Sequence, residues 1–303
     1  MKQNSDVQTF LSQLKKRTTI PSNIELAQTS CGTLASVFDT PNSSIISDSI
    51  FSGIDRNPET SVLKAIVEFI ERRAFSEGLA SGHASCQTER SDGFAAFPRA
   101  LAENAELRAR ENAFAEAVER YAWAQWWDHT EFAHQLRNVQ LNDLNAEESA
   151  LVDIARCVPL SSVHEIRPRI SDQNLELIIY FAFTENGGVL SGGACGNCED
   201  VAETRYRALG ELLRHAIAAR KLANQNLTPS TFYERRLAYF AGPNGADTAR
   251  TRLAMSGDET IELPSLQFDD EVPHALSDLV VVHRCYFEGQ PDFVGGPLER
   301  LCL

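Results

Sequence analysis

The sequence predicts an α+β fold of mixed α/β character, a single domain in which strands alternate with long helices. Runs such as LELIIYFAF (175–183) are rich in β-branched and aromatic residues and predict strands. Residues 103–127 consist of strong helix formers without Gly or Pro and predict a long helix. No low-complexity linker interrupts the 303 residues, of which 43% are hydrophobic. We therefore expect one α+β domain spanning residues 1–303.

The N-terminal third predicts a helix, two strands, a second helix and a short extended segment, in that order. Residues 1–20 predict a leading helix that ends in cations, which suit the negative end of the helix dipole. Apolar runs at 34–38 and 43–51 predict strands, because Thr40-Pro41-Asn42 between them is a turn signal. The remaining segments are a helix from about residue 60 to 77, a polar loop over 76–91 and an extended segment at 91–97.

The helix predicted over 103–127 combines charged side chains with large aromatic ones. At about 100° per residue, Glu116, Glu119 and Arg120 lie close to Trp123 and Trp127, and the opposite face is apolar too. This pattern leaves no polar face for solvent, so we expect the three charged side chains to be enclosed. Enclosed carboxylates are costly unless they are paired or bound to a cation, which makes this helix a candidate for holding a ligand.

The C-terminal half predicts a hairpin, a third long helix and a last strand. A strand over 164–170 precedes the strand at 175–183, which turns at Asn186-Gly187-Gly188 into VLSGGA. A helix is expected from about residue 200 to 224. Between Asp128 and Val163 the sequence predicts a mixture of helix and loop. Residues 225–262 are polar, and the sequence predicts no secondary structure for them. LVVVHRCYF (279–287) predicts the last strand, before an irregular tail that ends the segment 279–303.

Three helices share a pattern that indicates a divergent internal repeat. The chain reads KAIVEFIERRAF around Glu68, NAFAEAVERYAW around Glu116 and RALGELLRHAIA around Glu211, with an alanine three residues before each of these glutamates. Chance similarity among Ala- and Glu-rich helices is the alternative. The residues at the next charged positions of the three copies are Glu71 and Arg72, Glu119 and Arg120, and Arg214 and His215.

Composition restricts the partners and the compartment. A net charge of −14 argues against nucleic-acid binding and against anionic membranes, although local basic residues can still bind an anionic ligand. No apolar run is long enough for a membrane span, and the first residues lack the apolar core of a signal peptide. We therefore expect a cytoplasmic protein.

Cysteines and histidines give no strong metal signal in the sequence. Seven cysteines are thinly spread, and Cys195-Gly-Asn-Cys198 is the one CxxC among them. Because no second ligand pair stands at zinc spacing, a tight loop entering a helix is favoured over a metal or redox site there. The seven histidines are scattered, so we expect each to be a surface or core residue.

The repeated polar faces suit a magnesium–nucleotide site. Magnesium prefers oxygen ligands, typically one or two carboxylates together with phosphates and water, and arginine and lysine contact phosphate oxygens. Ordinary helix salt bridges within each ExxER are the alternative. Neither a Walker-type loop nor a kinase glycine loop is present, so such a site must be of another design. The acids are Glu68, Glu71, Glu116 and Glu119, and the bases are Lys64, Arg72, Arg120, Arg207 and Arg214.

Three stretches, in order, resemble the YcaO family of ATP-dependent enzymes that activate peptide backbone amides. The first and second each combine a strand end with an ExxER helix, and the third combines a loop with an Arg-Ala-Leu-x-Glu helix. Together they span about residues 51–220. The stretches are FSGIDRNPETSVLKAIVEFIERRA, SDGFAAFPRALAENAELRARENAFAEAVERYA and ACGNCEDVAETRYRALGELLRHA.

The resemblance implies a YcaO-like domain with repeated strand–helix units around a central nucleotide site. It places Glu68, Glu71, Glu116 and Glu119 where the family binds magnesium and ATP phosphates, and Asn104, Arg120 and Arg207 at nucleotide-contacting positions. It assigns no catalytic residue. The sequence departs from the family at Gly53-Ile54-Asp55 (a Gly-Lys-Gly loop in the family), at Lys64 (often serine), at Arg108 (an acid) and at Cys198 (a histidine).

The resemblance also implies a reaction and partners. A Cys, Ser or Thr side chain of a precursor peptide attacks the preceding amide carbonyl, the oxyanion takes the γ-phosphoryl group of ATP, and loss of phosphate leaves a thiazoline or oxazoline. Thioamide or amidine formation, and a catalytically degenerate scaffold subunit, are the alternatives. No leader-recognition module is recognisable, so we expect a multi-subunit synthetase with an E1-like leader-binding partner and a flavin dehydrogenase.

Overall fold

The structure, a computed structural model, describes residues 2–18, 23–38, 50–81, 93–144, 147–225, 228–229, 231–291 and 297–300. The α-helices in these ranges are α1 (Lys2–Arg17), α2 (Pro58–Ser81), α3 (Ala105–Asp128), α4 (Ala150–Cys157), α5 (Val201–Gln225), α6 (Phe232–Phe240) and α7 (Pro243–Ala254). The strands are β1 (Asn23–Gln28), β2 (Thr33–Phe38), β3 (Ile50–Asp55), β4 (Gly93–Pro98), β5 (His134–Val139), β6 (Leu160–Pro168), β7 (Leu175–Thr184), β8 (Val189–Asn197), β9 (Leu266–Glu271) and β10 (Val280–Phe287).

The strands form small antiparallel sheets, which makes the class α+β as predicted. The sheets have the orders β1-β2-β3, β4-β10-β9 and β5-β6-β7-β8, and every pair of named strands in them is antiparallel. No helix among the described residues is both long and apolar enough to cross a membrane.

The chain forms two compact units. The first comprises Met1–Ala117 and Leu266–Glu288, and the second comprises Val118–Ser265 and Gly289–Leu303. The division falls inside α3, so each unit contains one part of this helix. The expectation of one domain over 1–303 stays a prediction.

The first unit buries one apolar face of α2 against two sheets. Phe69 of α2 meets Phe51 of β3 edge-on with ring centroids 5.3 Å apart, and Phe75 meets Phe94 of β4 at 5.8 Å. Phe10 of α1 is fully buried in the same cluster. Burying aromatic side chains of this size supplies much of the favourable free energy of folding.

The second unit covers its four-stranded sheet on both faces. A Cβ added at Gly192 of β8 would lie 2.3 Å from the Leu212 nitrogen of α5, whereas one at Gly193 would lie 2.4 Å from the Trp123 ring of α3. Neighbouring strand residues point to opposite faces, so α5 and the indole lie on opposite sides of the sheet. Double coverage explains why LELIIYFAF is a continuous apolar run rather than an alternating one.

The C-terminal end of α3 is held by a buried arginine. Arg252 of α7 donates from Nε to the Trp126 carbonyl at 2.7 Å, from Nη2 to the His129 carbonyl at 3.1 Å and from Nη1 to the Met255 carbonyl at 2.6 Å. Its guanidinium also stacks 4.3 Å above the Trp126 ring. Arg252 therefore satisfies carbonyls that a helix end leaves without partners and places a cation at the negative end of its dipole.

Several elements differ from the sequence expectations. The predicted loop over 76–91 is wrong at its start, because α2 continues to Ser81. An Arg73–Glu77 ion pair at 2.8 Å and a hydrogen bond from the Ala275 nitrogen to Glu77 at 3.1 Å hold these last turns. The strand predicted over 43–51 lies mostly outside the described residues, and β3 continues from it to Asp55. Elements without a sequence assignment are β1, β5, α4, α6, α7 and β9.

Candidate functional site

The first copy of the repeat consists of β3 and α2. The backbone N–H of Ser52 donates to Glu68 Oε2 at 2.9 Å, which fixes the carboxylate of α2 against the strand. A Cβ at Gly53 would lie 2.4 Å from the Ser61 carbonyl oxygen, so strand and helix backbones are in direct contact. Glu71 follows one turn later and is half-buried.

Lys64, one turn before Glu68, is engaged with the strand end. Its Nζ lies 2.7 Å from Asp55 Oδ2 and donates to the Ile54 carbonyl at 3.2 Å. The side chain is 43% exposed, so this ion pair is a weak one. The lysine therefore lies beside Gly53-Ile54-Asp55, the segment in which this sequence differs from the Gly-Lys-Gly loop of the family.

The second copy, β4 and α3, repeats this arrangement. The backbone N–H of Phe94 donates to Glu116 Oε2 at 2.8 Å. A Cβ at the preceding Gly93 would lie 1.7 Å from the Ala113 carbonyl oxygen and 2.4 Å from the Ala117 nitrogen. Asn104 is exposed, and its carbonyl accepts the N–H of Arg108 at 3.0 Å in the first turn of α3.

The third copy, β8 and α5, has the same backbone packing as the second. A Cβ at Gly192 would lie 2.6 Å from the Ala208 carbonyl oxygen and 2.3 Å from the Leu212 nitrogen. In the sequence alignment of the repeats, Ala208 corresponds to Ala113 and Leu212 to Ala117. The glycine contacts, which were not used to make the alignment, therefore support it for the second and third copies. In the first copy the contact of Gly53 lies one turn earlier, at Ser61 and Ala65.

The charged residues of the third copy are arranged differently. Glu211 accepts from Arg214 Nε at 3.0 Å, and Arg214 Nη2 contacts the same oxygen. Burial raises the pKa of Glu211, but the ion pair with Arg214 more than offsets it and leaves this pKa below its ordinary value. His215 is buried, its Nδ1 lies 2.6 Å from the Ser191 carbonyl oxygen, and burial lowers its pKa.

Glu119 of α3 contacts the strand of the third copy within the second unit. The backbone N–H of Cys195 donates to Glu119 Oε2 at 3.1 Å, and Arg207 Nη1 donates to the Cys195 carbonyl at 3.2 Å. Glu119 of α3 and Arg207 of α5 thus both form hydrogen bonds with the backbone of Cys195 in β8. Arg120, next to Glu119, is half-buried.

Three of the four predicted magnesium ligands are therefore held by strand N–H groups. A hydrogen bond from a backbone N–H to a carboxylate is charge-assisted and fixes the side chain in one place. Carboxylate oxygens are the ligands that a hard cation such as magnesium prefers, so these residue types suit it. The enclosure predicted for Glu116, Glu119 and Arg120 is partial, while Trp123 and Trp127 are buried.

The predicted site residues are divided between the two units. The first unit contains Lys64, Glu68, Glu71, Asn104 and Glu116, and the second contains Glu119, Arg120 and Arg207. Glu116 and Glu119 are one turn apart on α3, which places them on the same side of that helix. The use of both sets by one nucleotide stays a prediction.

The CxxC segment forms a turn into a helix. Cys195 is buried at the end of β8, whereas Cys198 is exposed and begins a 3-10 turn, Cys198–Asp200, that leads into α5. Burial raises the pKa of the Cys195 thiol well above its usual range. This matches the interpretation of the segment as a tight loop entering a helix.

A buried ion cluster in the second unit has no signal in the sequence. Glu165 of β6 is 1% exposed at its side chain and accepts from Tyr180 Oη at 2.7 Å, Arg167 Nε at 2.7 Å and Arg205 Nε at 3.1 Å. Arg137 Nη2 contacts the same carboxylate. Burial raises the pKa of Glu165, but these hydrogen bonds lower it to about 2.

A second cluster brings one of the scattered histidines, a buried one, beside a cysteine and an aspartate. His283 and Cys285 of β10 meet Asp269 of β9 on one face of their sheet, with Asp269 opposite Cys285 in the strand register. His283 and Cys285 stand two residues apart, the spacing that places strand side chains on one face. The contribution from β9 depends on a pairing that the sequence did not reveal.

Known proteins match this chain in structure but not in sequence. No family model and no curated protein matches the sequence. The structure of YcaO from Methanopyrus kandleri bound with AMPPCP and Mg2+ matches with a TM-score of 0.59 and 12% identity, over 98% of this chain and 93% of that one. The E. coli microcin synthetase McbBCD complex matches with a TM-score of 0.58 and 9% identity, over 88% of this chain and 87% of that one.

A structure of the same E. coli complex with pro-MccB17 bound matches with a TM-score of 0.58 and 10% identity, over 88% of this chain and 87% of that one. Identities this low establish the fold and nothing finer. The structural matches nevertheless agree with the resemblance to the YcaO family, which three stretches of the sequence indicate independently. The chain has the YcaO fold, and its resemblance to the YcaO family is confirmed at that level.

Proposed function

We propose that this protein uses ATP and magnesium to activate backbone amides of a ribosomally made precursor peptide, forming thiazoline or oxazoline rings at Cys, Ser or Thr. The observation that carries the proposal is the set of carboxylates held by strand N–H groups, Glu68, Glu116 and Glu119, within motifs that resemble those of YcaO enzymes. The shared fold with a YcaO bound to AMPPCP and Mg2+ supports it.

In this proposal Glu68, Glu71, Glu116 and Glu119 hold magnesium, and Asn104, Arg120, Arg207 and Lys64 contact ATP. Magnesium would supply charge neutralisation on the triphosphate. The peptide's own nucleophile attacks the preceding carbonyl carbon, and the carbonyl oxygen accepts the γ-phosphoryl group. That oxygen leaves as phosphate, so ring closure yields ADP, phosphate and an azoline. The chain's contribution is positioning and electrostatic stabilisation.

The proposal includes partners. Two of the structural matches come from the E. coli microcin synthetase McbBCD complex, one of them with pro-MccB17 bound. By analogy, we infer a multi-subunit synthetase that acts on a precursor peptide. The resemblance to the YcaO family adds an E1-like protein that binds the leader and a flavin dehydrogenase that acts on the azoline. We also propose a cytoplasmic location without nucleic acid or membrane partners, as the net charge and the sequence predict.

A scaffold subunit without turnover is the second candidate function. It is favoured by Lys64, whose ammonium group is paired with Asp55 at 2.7 Å where the family often has a serine. A thioamide- or amidine-forming enzyme would use the same activation with another nucleophile, so it differs from the first candidate in product rather than in site.

Nucleotide binding is the first test. Calorimetric titration of the full chain with AMPPCP and magnesium should show binding that weakens at least about tenfold in Glu116→Gln and in Glu119→Gln. Glu111→Gln is the matched control, because Glu111 is an exposed glutamate of the same helix and its replacement should change nothing. Equal binding by all four proteins, or no binding by the native chain, would refute the nucleotide site.

Turnover separates the enzyme from the scaffold. The chain is combined with a precursor peptide and the partner proteins encoded beside its gene, and phosphate release and peptide mass are measured. The enzyme should release one phosphate and remove one water per ring, and both should be lost in Glu119→Gln. Phosphate release at the same level in native and variant chains would support the scaffold.

A further inference from the structure

We propose that Asp269, His283 and Cys285 form a binding site for a zinc-like divalent cation, separate from the nucleotide site. His283 Nε2 lies 2.7 Å from Asp269 Oδ1, and Cys285 Sγ lies 3.2 Å from the same oxygen. The ligand atoms of the three residues all lie within 4.8 Å of one another. These side chains come from two paired strands, so they are presented by rigid backbone.

The ligand types select the cation. A thiolate, an imidazole and a carboxylate suit zinc, which binds sulfur at about 2.3 Å and nitrogen or oxygen at about 2.0–2.2 Å. Magnesium and calcium take oxygen ligands, so the cations expected with ATP would not compete well for a site with a thiolate. Three protein ligands leave the fourth tetrahedral position for water, as in zinc sites that keep one position open.

Burial and the orientation of the carboxylate support the site. Cys285 is fully buried and His283 is 8% exposed, while Asp269 lies at the edge with a side chain 18% exposed. Arg110 Nε donates to Asp269 Oδ2 at 2.9 Å and to Oδ1 at 3.1 Å, so the guanidinium holds the carboxylate in place beside the other two ligands. An outer partner of this kind is what orients metal-ligating carboxylates in known sites.

Cation binding needs only a local exchange. The cation takes the place of the protons now shared by Oδ1 with the imidazole and the thiol. The thiol proton leaves to solvent, and the Sγ lone pair forms the new bond. The neutral imidazole loses its proton at Nε2 and gains one at Nδ1 by exchange with solvent, so that the Nε2 lone pair binds the cation. Because Oδ1 is already hydrogen-bonded to both partners, Nε2 and Sγ each need to move only a few tenths of an ångström away from Oδ1 to reach the separations found between metal ligands.

Cobalt titration of the full chain tests the proposal, because cobalt reports its ligands by colour. Native protein should bind one equivalent, with the visible bands of a four-coordinate ion and a thiolate-to-cobalt charge-transfer band. That band should disappear in Cys285→Ser and persist in Cys198→Ser, the matched control with an exposed cysteine on the other unit. Its absence in native protein, its survival in Cys285→Ser or its loss in Cys198→Ser would overturn the site.

A measurement on unmutated ligands covers the case in which Cys285→Ser fails to fold. X-ray absorption of the Cys198→Ser chain loaded with one zinc should show one sulfur and imidazole scattering around the metal. A zinc environment without sulfur would overturn the proposal. Neither measurement depends on nucleotide. The cation site can therefore hold even if the proposed enzyme function is refuted, and the enzyme function can hold even if the cation site is refuted.

Discussion

Replacing Glu165 by glutamine removes the negative charge from a cluster in which Arg137, Arg167 and Arg205 all contact one buried carboxylate. A pKa of about 2, against an ordinary value of 4.5, corresponds to about 3 kcal/mol of stabilisation at neutral pH. Removing one partner from a buried ion cluster costs about 3–5 kcal/mol in other proteins, in the same range. We therefore expect Glu165→Gln to lower the free energy of unfolding by about 3 kcal/mol at pH 7.

The pH dependence gives the sharper test. Because the folded-state pKa lies below the unfolded one, the stabilisation is present above about pH 4.5 and is lost as pH falls toward 2. Urea unfolding should show the difference between native and Glu165→Gln protein reduced to about half at pH 3. Glu176→Gln is the control: Glu176 pairs with Arg167 but is 20% exposed, and we expect a cost below about 1 kcal/mol. A cost that small for Glu165→Gln, or one that does not change with acid, would refute the reasoning.

Three further predictions follow from packing and burial. Gly93→Ala should lower the free energy of unfolding by about 1–3 kcal/mol or more, because the added Cβ would overlap the backbone of α3. Gly242→Ala is the control: a Cβ there would meet no atom nearer than 3.4 Å, so it should cost less than about 1 kcal/mol in the same urea experiment. Arg252→Met should lower the free energy of unfolding by about 2–4 kcal/mol, since it leaves carbonyls at the end of α3 without donors; an unchanged urea midpoint would contradict this. A thiol reagent followed by peptide mapping should label Cys198 in the folded chain and Cys195 only after unfolding, because the first is exposed and the second buried; equal labelling would be inconsistent with the strand end described.

Elements with strong local signals could be predicted from the sequence. The helix expected over 103–127 is α3, Ala105–Asp128, and the hairpin turning at Gly187 forms with that glycine at φ 84. Two missed helices also carried signals. A capping box, Thr231 with Glu234, begins α6, and Pro243 stands in the first turn of α7. The polar composition of residues 225–262 obscured them.

Strands and contacts that depend on distant partners could not be predicted. LQFDDE is acidic and forms β9 because β10 offers it a pairing edge. Within the candidate site, the pairing of Glu211 with Arg214 is local and follows from helical spacing. Glu119 accepts the N–H of Cys195, 76 residues away, and no local pattern indicates which strand N–H a glutamate will accept.

Gly93 has a consequence for how mutations in this protein will be interpreted. Its missing side chain lets β4 touch α3, and that contact brings the Phe94 N–H within 2.8 Å of Glu116. A single added methyl group would push the strand outward and stretch this bond, although glycine itself offers nothing to a substrate. Under the proposed function, a genetic screen scored only on product would therefore rank Gly93 beside the carboxylates, and a parallel stability measurement would reveal it as a spacer.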